Sequence, residues 1–180
     1  MVVDILERIQ WGMTRSQVIK QFPDVAISTP DPLRNRHAFV FQNVAPPLVM
    51  VAFFDATRSD KLFRVQLMLF GERQPLDDDL LCNMFETFKQ ELSVKYGKPA
   101  YAMENPSMIN QAMAQSTVVP PGSAFSDGAA WSLPNAILTL TLSMRRDGAT
   151  QPNIDIGYGD LDHDPLSKSW AWIREKRKTF

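Results

Sequence analysis

Two histidines, one cysteine and one run of alternating aspartates are the residues of this chain best suited to chemistry. The aspartates come as Asp160-Leu161-Asp162-His163-Asp164, a D-x-D-x-D spacing like the opening of a calcium loop. Such a loop needs a Gly for its sharp turn and a bidentate Glu to close the cage. Pro165 and Ala171 stand at those two places. The run therefore reads as a solvated turn leading into a capped helix, with Asp164 as the cap and Pro165 as the first helical residue. Gly157-Tyr158-Gly159 begins a dinucleotide-like G-x-G, but Asp162 replaces the third glycine. The sequence has no phosphate loop, G-x-S-x-G elbow or H-E-x-x-H pair. His37 and His163 are far apart in sequence, and Cys82 has no neighbouring His or second Cys. Cys82 reads as a small, partly buried filler. The expectation is a chain that is not an enzyme and has no cofactor and no metal site.

Composition narrows the class further. At 44% hydrophobic and 22% charged, 180 residues make a globular chain with enough material for a substantial core. Nineteen basic against twenty acidic residues leave a net charge of −1, which is no footprint for nucleic acid. A single cysteine forbids an internal disulfide, and no apolar run approaches the roughly 20 residues of a membrane span. The expectation is a soluble, cytoplasmic protein without stable membrane insertion, or a periplasmic one if a leader has been removed. The basic tail, Arg174 to Lys178 with Trp170, Trp172 and Phe180, reads as a helix packed by Trp170 and trailing solvated charge.

The elements that must position any site are legible from periodicity. Thr14 and Gln17 form a capping box, Met13 and Val18 stand at staple spacing, and Pro23 stops a helix over 15–22. Residues 4–10 suggest a short helical turn with Ile5, Leu6 and Ile9 on one side. Residues 38–44 read as a strand, followed by a break at Pro46-Pro47 and a hairpin over 48–70. In its second strand Phe63, Val65, Leu67 and Leu69 point one way, and Arg64, Gln66 and Met68 the other. Leu81, Met84, Phe85, Phe88, Leu92 and Tyr96 form one apolar stripe on a helix from Asp77, ended by Gly97 and Pro99. A long loop over 103–128, with a short helix opening near Pro106, precedes strands near 129–133, at 136–144 and at 153–158. An Asp-Gly turn signal at 147–148 joins the last two.

Each half thus reads as a helix followed by a meander: residues 1–72, then 73–160, with 161–180 as a C-terminal helix and tail. The fold class expected is α+β, an antiparallel sheet with helices packed on one face. Ile9-Gln-Trp-Gly-Met-Thr-Arg-Ser-Gln-Val18 resembles the entry helix of the SmpA/OmlA lipoprotein family, which also occurs in β-lactamase-inhibitor-protein-like (BLIP-like) domains. Phe85 to Pro99, the strand opening at Trp131 and the Ile-x-Ile-x-Tyr strand at 154–158 are similar to second modules of such tandem domains. The resemblance implies helices on one sheet face, with the other face open for adaptor, inhibitor or assembly-factor work. The chain departs from the lipoproteins in having no lipid-attachment cysteine near residue 1.

The candidate site follows from alternation. Arg64, Gln66, Met68, Thr139, Thr141, Ser143 and Asp155 take the polar parity of three strands, and Phe70 extends the first. If those strands adjoin, the residues form one platform. The expected function is a non-enzymatic module binding a protein partner, or a second copy of itself, through that face. The alternative is a small-molecule or lipid binder with an apolar pocket between helix and sheet.

Overall fold

The computed structural model describes residues 1–23, 25–27, 31, 35–41, 48–69, 78–102, 127–143 and 153–169. Helices α1 (Val2–Glu7) and α2 (Arg15–Gln21) precede strands β1 (Ala26–Ile27), β2 (Arg36–Phe41), β3 (Leu48–Asp55) and β4 (Lys61–Leu69). Helix α3 (Asp78–Tyr96) precedes β5 (Tyr101–Ala102), β6 (Asp127–Ser132), β7 (Ala136–Ser143) and β8 (Asn153–Asp160), and α4 (Pro165–Ser169) follows. All eight strands form one antiparallel sheet in the order β1-β2-β3-β4-β8-β7-β6-β5. The fold is α+β, as the periodicities indicate.

That order is a repeat. Each half is a helix followed by a four-stranded meander, and the halves join last strand to last strand, β4 against β8. The two-residue strands β1 and β5 occupy matching places, just after α2 and just after α3. Neither is long enough to show a period of two, so neither stands out in the sequence.

Helices α1 to α3 cover one face, where alternate residues of every long strand point. Phe39, Met50, Leu67, Leu140 and Ile156 belong to one core with Ile5 and Leu6 of α1, Val18 of α2, and Leu81, Phe85, Phe88 and Leu92 of α3. Trp131 is 1% exposed in this core, and its indole Nε1 donates to the carbonyl of Gly97 at 2.9 Å. Gly97 itself has φ +82°, the left-handed cap that a side chain would strain.

The entry motif explains its own spacing. Thr14 and Gln17 complete the capping box, and Met13 and Val18 are both buried as a staple requires. Gly12, at φ +81°, donates its amide to the carbonyl of Leu62, and Leu62 returns its amide to Met13 at 2.8 Å. Arg15 forks onto both oxygens of Asp60 at 3.2 Å and donates to Asn35 at 2.9 Å, with its guanidinium 4.7 Å from the Phe54 ring centre. Trp11 reaches into the other half, its ring 4.6 Å from that of Tyr158. The motif is thus a clamp that fixes the β3–β4 turn and touches β8.

Two details differ from the alternation read in sequence. The register between β3 and β4 shifts, so Phe53 faces Arg64 while Phe54 faces Leu62. The extra residue is Phe63, half-buried at the bulge, and Leu62 takes its core place. Cys82, expected as a partly buried filler, is exposed, because Leu81 and Phe85 fill the inward side of α3. Met144, Phe70, the 145–150 turn, the Pro106 helix, and Trp170 with the rest of the tail lie outside the described residues.

Candidate functional site: the second face of the sheet

Strand parity fixes which residues share the face opposite α1 to α3. Across the three central strands the register aligns Met68 with Asp155 and Thr141, Gln66 with Gly157 and Thr139, and Arg64 with Gly159 and Ile137. Ser143 lies beside Asn153 one step further along. All seven residues expected at the site are therefore on one face of three adjoining strands. What alternation alone could not give was adjacency, because it depends on the β4–β8 pairing.

The polar groups of this face are largely engaged with one another. Gln66 Nε2 donates to Asp155 Oδ2, and Arg64 Nη2 lies 3.5 Å from Gln66 Oε1, a chain along the seam between the halves. Thr141 Oγ1 donates to the carbonyl of Asp155, and Thr139 Oγ1 to that of Gly157, each at 3.4 Å. Burial pushes the Asp155 carboxyl up to about 6, while the Gln66 hydrogen bond and the Arg64 charge pull it down. Burial lowers the Arg64 guanidinium from its ordinary value, against the charges of Asp164 and Asp155. Arg64 also lies over the Phe53 ring, 5.0 Å from its centre.

Glycine at 157 and 159 is demanded by what lies above. A Cβ on Gly157 would stand 2.7 Å from Thr139 Oγ1, and one on Gly159 would stand 2.1 Å from Asp164 Oδ2. Helix α4 therefore starts on this second face, while α1 to α3 hold the first. Asp164, 3% exposed, caps α4 by accepting the amides of Leu166 and Ser167, each at 3.1 Å. Asp160 accepts the Asp162 amide at 3.0 Å and contacts His163 Nδ1 at 2.5 Å. The D-x-D-x-D run is thus a turn and a helix cap. Among the described residues no group of three or more His, Cys, Asp or Glu could hold a metal ion.

The face also extends where alternation gave no guidance. Val49, Val51 and Phe53 of β3 lie beside Met68, Gln66 and Arg64, and Val40, Ala38 and Arg36 of β2 lie beyond them. Leu48–Phe54 is apolar at both parities, the mark of a strand covered on both sides, so its outer residues looked no different from its core ones. Val51 is 7% exposed, whereas Val49, Phe53 and Met68 are half-buried. One half of the face, on β2 and β3, is apolar except for Arg36 at one end, which is paired with Asp31. The other, on β4, β8 and β7, is a hydrogen-bonded polar field.

Comparisons with protein-family models, curated proteins and solved structures return no match. The geometry stands by itself. No helix among the described residues is long and apolar enough to cross a membrane.

Proposed function

We propose that this chain is a non-enzymatic interaction module that binds another protein through the second face of its sheet. The observation that carries this reading is the continuity of half-buried Val49, Phe53 and Met68 with the Arg64–Gln66–Asp155 chain. A broad face with an apolar half beside a hydrogen-bonded polar half suits a protein surface better than a small solute. The resemblance of the entry motif to SmpA/OmlA and BLIP-like domains supports an adaptor, inhibitor or assembly-factor role of that kind. The clamp built by Gly12, Met13 and Arg15 gives the motif a structural reason to be present in such a scaffold.

An apolar ligand pocket between helix and sheet gains no support from the interior. Leu81, Phe85, Phe88 and Leu92 of α3 share one buried core with Leu138, Leu140 and Trp131, and none of these is more than 3% exposed. A depression of about 510 Å³ lies instead on the outer side of α3, among Asn83, Glu86, Thr87, Lys89, Gln90 and Ser93.

Photo-crosslinking residues at Phe53 and Met68, with a control at Gln90 on α3, test the proposal. Expected are defined adducts from the sheet face alone, whose masses separate a second copy from a different protein. A monomer in light scattering whose sheet-face adducts do not exceed those of the α3 control would overturn it.

A further inference from the structure

His37 is the one described side chain whose buried polar atoms lack any partner. It is 4% exposed, and neither Nδ1 nor Nε2 makes a hydrogen bond. Its parity on β2 is that of the core, opposite Ala52 of β3, and its ring lies 4.9 Å from that of Phe39. Phe39 in turn meets Phe22 at 6.1 Å, and Phe22 meets Phe41 edge-on at 5.7 Å. The imidazole therefore stands at one end of an aromatic row that fastens the end of α2 to β2. An orphaned polar ring in such a row has no role in holding the fold that leucine would not perform better.

The charged surroundings give the ring a direction of response. From α2, Arg15 faces it with a positive charge. Facing residues of β3 are Ala52 and its apolar neighbours Met50 and Phe54. Arg36, next on its own strand, takes the opposite parity and pairs with Asp31 at 3.1 Å. Among these described groups no carboxylate addresses the ring, since Asp60 is committed to Arg15. Burial first, and the Arg15 charge second, hold the imidazole below its ordinary value. The sheet margin here is short, because β1 holds β2 through two residues, with one further bridge between Asp31 and Arg36.

We infer that His37 is an acid-sensitive latch: protonating its ring releases the β1–β2 margin and α2 from the sheet, while the β4–β8 centre stays closed. A charged imidazole beside the Phe39 ring and the Arg15 charge is costly unless water reaches it. The sign follows from linkage. The ring binds its proton more readily when released, so the closed form is fully favoured above the ordinary value of 6.5 and loses ground as pH falls below it.

The test uses the full chain carrying His163→Gln, which leaves His37 as the sole imidazole. Expected is a ring that titrates below 6.5 in the folded protein. Protection of the 36–41 amides, corrected for intrinsic exchange, should fall as pH drops below 6.5, by at most about tenfold per pH unit, with the β8 amides unaffected. His37→Leu should abolish that dependence. Three results would each overturn the latch: a folded ring titrating at or above 6.5, loss of β8 protection in step with β2, or an unchanged pH dependence in His37→Leu.

Discussion

Gln66 and Asp155 join across the seam where the two meanders meet, the amide Nε2 of one donating to the carboxylate of the other. The pair lies beside Thr141 and Met68 in the middle of the proposed contact face. It places a titratable group at the one strand pairing that unites the halves.

The first prediction concerns that carboxylate. Its value of about 6 exceeds the 3.8 of a free aspartate, so folding favours the protonated form. That preference is complete below about pH 4 and is lost as pH rises through 6. Asp155→Asn keeps an acceptor for Gln66 and removes the titration. Relative to wild type it should gain about 2–3 kcal/mol between pH 4 and pH 7.5, read by urea unfolding at both pH values. An equal difference at the two pH values would show that Asp155 ionises normally.

Gly159→Ala should displace α4. The new methyl would stand 2.1 Å from Asp164 Oδ2 and 2.3 Å from Ser167 Oγ, so the helix start must lift. A loss of about 1–3 kcal/mol is expected, with faster amide exchange at 166–168. Gly12 and Gly97 make a useful contrast, since an added Cβ there meets nothing within 4 Å and only the positive φ resists it.

Trp131→Phe removes the hydrogen bond to Gly97 while keeping an aromatic ring in the core. The Gly97 carbonyl loses its indole donor, so a cost of about 1–2 kcal/mol is expected from the urea midpoint. Trp131→Ala should cost about 3–5 kcal/mol through the added cavity. Equal costs for the two would mean that the indole bond, not the bulk of the ring, matters at this site.

Much of this architecture was legible because the chain alternates honestly. Leu138, Leu140 and Leu142 point inward and Thr139 and Thr141 outward, as their parity says. The capping box at Thr14 and the stop at Gly97 mark helix ends by local chemistry that tertiary contacts do not override. Legibility ended where the cause is not local. The bulge at Phe63 depends on how β3 and β4 register against the clamped turn. The outer residues of β3 carry no contrast with its inner ones, so half of the candidate face was invisible. His37 gave no signal either, since a lone histidine next to a strand reads the same whether it is satisfied or orphaned.

The strand order bears on synthesis. β8, the last of the described strands in chain order, pairs on both sides at the centre of the sheet, between β4 and β7. Until residue 160 leaves the ribosome, the side of β4 that will receive Tyr158 and Ile156 has no mate. A nascent chain halted before that point offers an unpaired apolar strand to any other chain nearby. Truncations ending between residues 70 and 150 should therefore clump or recruit chaperones, although the described sheet ends at both margins in two-residue strands.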